Sequence, residues 1–158
     1  MRGFQLLCAA VFVAFAVTLS LDLFQRKLAH PGRESIIFAS MWAPGEPMQL
    51  WGFDALLYVL ADRPSASRLG FSYAVAAEPD PTRRADRERE LVADIERVRP
   101  RVLVVQETDD NQLMPGGSRA ALRRLPALAS AIARCYGQTY RNRDYTMYTR
   151  TNTCGSTE

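Results

Sequence analysis

The chain has 158 residues, 47% hydrophobic and 23% charged, a balance that excludes disorder over most of its length and leaves room for one small core beside a membrane segment. Its net charge of +3 comes from 20 basic residues interleaved with 17 acidic ones, as in Arg83-Arg84-Ala85-Asp86-Arg87-Glu88-Arg89-Glu90. Neighbouring acids cancel such a field within a Debye length, which excludes nucleic acid as a partner.

The uncharged, mostly apolar run from Gly3 to Leu21 would span roughly 29 Å as a helix, close to the bilayer's hydrocarbon thickness of about 30 Å. It contains no proline and is apolar all round from Leu6 to Val17, so it reads as a transmembrane helix and not as an amphipathic core helix. A cleavable secretory signal is the alternative, with Arg2 as its basic start and Ala14-Phe15-Ala16 as a small-x-small site. The apolar run continues past Ala16 to Phe24, which favours a retained anchor. Arg26, Lys27 and Arg33 outnumber Arg2, and the positive-inside rule alone would leave the rest of the chain in the cytoplasm.

Glu34 to Trp42 reads as a short helix, ended by the turn cluster Ala43 to Pro47. Met48 to Phe53 reads as a buried strand, and Asp54 stands as an N-cap before an apolar helix, Ala55 to Leu60. Leu69, Phe71, Tyr73 and Val75 recur at a spacing of two, which predicts a half-buried strand over Ser67 to Val75. In the helix predicted over Thr82 to Arg99, Leu91, Val92, Ile95 and Val98 form one apolar stripe on a charged cylinder.

Val102 to Val105 is the continuous apolar run of a central strand buried on both faces. The loop Glu107 to Gly117 is expected to be exposed and mobile. A helix from Pro126 to Tyr136, C-capped by Gly137, then leads into a hairpin of Gln138 to Arg141 and Tyr145 to Arg150. The expected architecture is therefore α/β: a transmembrane helix and juxtamembrane segment over 1–30, a small open α/β sandwich with a mostly parallel sheet and a C-terminal edge hairpin over 31–150, and a disordered tail over 151–158.

Chemistry-bearing residues are sparse. The three cysteines include Cys8 in the apolar run, so at most one disulfide forms in the soluble part, and His30 is the single histidine, too isolated for a zinc site or a nucleophile dyad. Trp51, Asp62, Arg63 and Arg68 lie near strand ends, where α/β folds place ligands, and the two arginines suit a phosphate or carboxylate. The competing reading makes Trp51 core and pairs Asp62 with Arg68. Gly116-Gly117-Ser118 lacks the lysine and spacing of a phosphate loop, and Glu107, Asp109 and Asp110 read as solvated loop more readily than as a cation site. No cofactor is expected.

Taken in order, the apolar helix, Pro44-Gly45-Glu46, Leu50-Trp51-Gly52-Phe53, Leu57-Tyr58, Asp62-Arg63-Pro64, Ala66-Ser67-Arg68, a charged helix ending in Arg99-Pro100, the strand Val102 to Val105, a helix from Pro126 through Leu128 to Tyr136, and a strand near Tyr148 to Arg150 run over nearly the whole chain. This order resembles the C-terminal end of integral membrane glycosyltransferases of the protein-mannosyltransferase and aminoarabinose-transferase superfamily. The resemblance implies a soluble domain on the extracytoplasmic side, capping a multi-span helix bundle that transfers sugar from a polyprenyl-phosphate carrier. The family's catalytic acid lies in an early loop between its first membrane helices, and no position here corresponds to it. The chain is therefore expected to be inactive alone, either as part of such a transferase or as an accessory to it; an unrelated single-span or secreted α/β binding domain is the alternative.

Overall fold

The computed structural model describes residues 36–37, 45–112, 114–152 and 154. The expected transmembrane segment, the expected juxtamembrane stretch and most of the helix expected over Glu34 to Trp42 lie outside these, with Ile36 and Ile37 alone described, as helix. No described helix is long and apolar enough to cross a membrane.

The described chain runs β1 (Met48–Trp51), α1 (Leu56–Leu60), α2 (Tyr73–Ala76), α3 (Pro81–Val98), β2 (Val102–Gln106), α4 (Gly117–Arg123), α5 (Pro126–Cys135), β3 (Tyr136–Arg141) and β4 (Tyr145–Arg150). The four strands form one sheet in the order β1-β2-β4-β3. Only β1 and β2 are parallel, with Met48 opposite Val102; β4 is antiparallel to both its neighbours. The expected mostly parallel sheet is thus corrected to a mixed one, because the C-terminal hairpin docks against the central strand instead of hanging at a parallel edge.

β2 is central and buried on both faces, as its sequence demands. Leu103 and Val105 face a core with Trp51, Leu91, Ile95, Leu128 and Ile132, so α3, α4 and α5 cover that side. Val102 and Val104 face a second core with Met48, Leu50, Leu57, Tyr145 and Met147. Alternation along one strand therefore divides the molecule into three layers.

α3 starts where Asp80 accepts from the amides of Thr82 (2.8 Å) and Arg83 (3.3 Å), with Pro81 at the first helical position. It ends on Arg99, a non-glycine residue in the left-handed region at φ 56°. Between β1 and α1 the chain turns tightly at Gly52, where a Cβ would lie 2.6 Å from Gln106 Oε1. That oxygen accepts from the amides of Phe53 (2.8 Å) and Asp54 (3.2 Å), so the close approach lets β2 fix the end of β1.

Several expectations are corrected. Asp54 does not cap α1 with its side chain; its carboxylate accepts from Tyr145 Oη at 2.5 Å, and Ala55 occupies the cap position. Ser67 to Val75 is not a strand: among the described residues the outer edge of β1 takes only the isolated bridge Met48 to Ser65, and Tyr73–Ala76 turns into helix. The loop after β2 is anchored rather than exposed throughout, with Asp109 buried. α5 passes directly into β3 at an extended Tyr136 without a Gly137 cap. The tail is held at its start: Thr151 N–H donates to Cys135 O at 2.9 Å, and Cys154 forms a disulfide with Cys135.

Candidate functional site

Trp51, Asp62, Arg63 and Arg68 are not brought onto a common ligand position. Trp51 is core, and its indole N–H donates to Ser118 O at 2.7 Å, tying the end of β1 to the first turn of α4. Asp62 occupies a tight turn at φ 51°, a region that aspartate tolerates better than most residues. Arg63 is buried and its guanidinium donates to Glu46 O at 3.4 Å. Burial pushes its pKa down, Glu46 pulls it back up, and the positive charge of Arg101 lowers it again. Arg68 points the other way, exposed, and pairs with Glu90 of α3 instead of with Asp62.

The acids after β2 hold the loop together, Asp109 buried and Asp110 exposed. Asp109 Oδ1 accepts from the amide of Ser118 at 2.7 Å, and its other oxygen accepts from the Ser118 hydroxyl, which also meets Ser72 Oγ at 2.7 Å. Asp110 accepts from Gly116 N–H at 2.8 Å. A Cβ on Gly117 (φ 67°) would lie 2.6 Å from Asp109 Oδ1, so this glycine leaves room for the carboxylate. The N-terminus of α4 thus already holds an anion, and it belongs to the chain itself. Glu107 accepts from Thr146 Oγ1, with Arg119 at 3.8 Å and Arg141 at 4.0 Å. Among the described residues no group of three metal-ligating side chains converges.

A different place gathers charge. A groove of about 640 Å3 opens at the sheet edge where β1 begins, β2 begins and β4 ends. Arg99, Arg101 and Arg150 line it, with Glu46 as the acidic residue among the described lining residues. Antiparallel pairing of β2 with β4 sets the arrangement: Val102 lies opposite Thr149, and Arg150 N–H donates to Arg101 O at 3.0 Å. Arg99 reaches the same groove from the left-handed cap of α3. Thr151, Asn152 and Cys154 form the remaining wall, fastened through the disulfide to Cys135. A smaller recess of about 330 Å3 between α2 and α4 differs in having its acid committed, since Glu78 pairs with Arg87 at 3.1 Å.

The sequence hides this groove, because Arg99 and Arg101 flank a proline and Arg150 follows some fifty residues later, each looking like ordinary surface. The usable signal is register. Once the last strand is paired antiparallel with Val102 to Val105, the arginine at its end falls beside the arginine that precedes β2.

Comparison with known protein families, characterised proteins and solved structures returns no match for this chain.

Proposed function

We propose that this chain serves as a non-catalytic extracytoplasmic domain of a polyprenyl-phosphate-sugar-dependent membrane glycosyltransferase, either as its terminal part or as an accessory docked on its helix bundle. The observation that carries the reading is the Cys135–Cys154 disulfide. Such bonds form and persist in oxidising compartments and are rare in the cytosol, which supports the extracytoplasmic placement implied by the family resemblance over the cytoplasmic one implied by Arg26, Lys27 and Arg33. The use of buried Asp109 as a helix anchor supports a scaffolding role, since a general acid or base must be free to exchange protons with a substrate. The arginine groove also favours a second reading, an anchored binding domain outside any transferase.

Two measurements test the proposal. On intact cells, reduction followed by a membrane-impermeant maleimide is expected to label Cys135 and Cys154; labelling only after lysis removes the extracytoplasmic placement. Membranes from cells lacking the chain are expected to lose transfer of labelled sugar from the polyprenyl carrier and to regain it with the full chain. Undiminished transfer leaves the anchored binding domain.

A further inference from the structure

We infer that the outer face of α1, formed by Ala55, Val59 and Leu60, lies against the lipid bilayer, so that the sheet turns its second core toward the membrane and its charged helix layer away from it. The inference rests on the reading of residues 3–24 as a retained membrane anchor, and on no part of the transferase reading beyond that.

α1 departs from the ordinary pattern of a surface helix. Leu57 fills the second core, and Tyr58 packs against that core while its hydroxyl accepts from Leu50 N–H at 2.8 Å. The positions turned away from a core are polar on an ordinary surface helix. Here they are Ala55, Val59 and Leu60, all exposed, with Val59 at 73%. Apart from the Tyr58 hydroxyl, no polar side chain occurs from Ala55 to Ala61. A helix that is apolar all round belongs in an apolar medium, and the described residues leave this face open. α3, on the other side of the sheet, is the contrast. Its exposed positions carry Arg83, Asp86, Arg89, Glu96 and Arg97, as suits a face in water.

The length of the connecting chain selects the bilayer as the cover. Ile36 is fully buried in the second core together with Leu57, so the chain enters the domain in the layer that contains α1. Eleven residues separate it from Phe24, where the apolar run ends, and they span at most about 40 Å when fully extended. A domain of this size has a radius of gyration of about 13 Å and is roughly 35 Å across. The tether therefore reaches the α1 layer with slack when that layer faces the bilayer. With the α3 layer toward the bilayer it would have to run the full thickness of the domain, nearly taut, and would press a row of charges onto lipid. Asp54 and Asp62 bound the α1 face at either end, so the attraction is apolar contact and not charge, and a zwitterionic bilayer is the fitting partner.

The test is photolabelling of the full chain, a single copy per phosphatidylcholine nanodisc, by a phosphatidylcholine with a diazirine in its upper acyl chain. Adducts are read residue by residue by mass spectrometry. They are expected within residues 3–24 and at Ala55, Val59 and Leu60, the latter several-fold above Tyr73. That tyrosine is the internal control: it is 43% exposed, but it belongs to α2 and meets Phe53, which packs on the first core. Adducts in 3–24 with α1 no higher than Tyr73 overturn the proposal and leave residues 38–44 or a second copy as the cover of α1. Absence of adducts from 3–24 overturns the anchor reading, and this proposal with it.

Val59→Asp separates apolar contact from mere nearness. Its side chain points outward, so the urea midpoint should hold while adducts at Ala55 and Leu60 fall several-fold and those in 3–24 persist. Val59→Ile should keep them all. Undiminished α1 adducts in Val59→Asp would mean that the tether alone brings lipid close, and would overturn the proposal.

Discussion

Tyr136 shows how a single residue couples the two halves of the fold. It is the first residue of β3, 7% exposed, and its hydroxyl donates to Pro100 O at 2.9 Å, joining the hairpin to the turn before β2. Burial pushes its phenol pKa up to about 12, with Arg150 pulling it slightly down. A group whose folded pKa lies above its unfolded value of 10.0 contributes stability that is complete below pH 10 and lost as pH rises toward 12. Denaturant unfolding followed across that window should show stability falling with pH in the native chain. Tyr136→Phe should start about 1 kcal/mol lower through the lost hydrogen bond, yet decline less steeply above pH 10. The slope that remains belongs in part to Tyr58, whose phenol is also raised by burial and bonded to Gly70 O at 3.1 Å. Superimposable alkaline slopes for the two proteins would remove Tyr136 from this role.

At the scale of elements, α5 has no cap of its own. Leu125 holds its N-cap position without a side-chain hydrogen bond, and the missing acceptor comes from another helix: Glu88 of α3, 7% exposed, accepts from Leu128 N–H at 2.9 Å. Glu88, Leu91 and Ile95 fall on one face at helical spacing, so the apolar stripe of α3 carries a carboxylate at its upper end that locks the next helix. Glu88→Gln keeps an acceptor oxygen and should cost less than about 1 kcal/mol in urea unfolding, while Glu88→Leu leaves a buried amide unpaired and should cost about 1–3 kcal/mol. Equal stability of the two variants would show that the cap contributes nothing.

The same elements explain what was legible in the sequence. Strong periodicity survived contact with the structure: the run Val102 to Val105, the stripe of α3, the proline-led α5 and the final hairpin stand within a residue or two of expectation. The misread strand over Ser67 to Val75 failed because, from Phe71 onward, Ser72 and Val75 are the buried positions, at helical spacing, while Phe71 and Tyr73 are exposed. A small polar residue carries a core position there through its bond to Ser118, and no hydropathy pattern registers that. The candidate site was less legible still. Arg63 and Arg68 are close in sequence but engage different elements, whereas the groove arginines meet only through strand pairing.

For the molecule as a whole, the sheet separates two cores, and the C-terminal segment is secured by covalent as well as packing forces. Cys135 ends α5 and Cys154 follows β4, nineteen residues apart, so their bond closes a loop containing the entire hairpin. Closing a loop of this length removes unfolded-state entropy worth about 3 kcal/mol. Reductant should therefore lower the unfolding free energy of the native chain by about 2–4 kcal/mol and leave Cys154→Ser unchanged, since that variant has no bond to lose. The comparison is made by denaturant titration with and without dithiothreitol. Identical curves for oxidised and reduced native chain would mean that the hairpin is held by packing alone. A fall of the expected size would link compartment to stability, because a small domain with a total of about 5–15 kcal/mol keeps much less of it wherever the thiols are held reduced. The wall formed by Thr151, Asn152 and Cys154 would loosen under the same conditions, making the shape of the groove depend on whether the two thiols are oxidised.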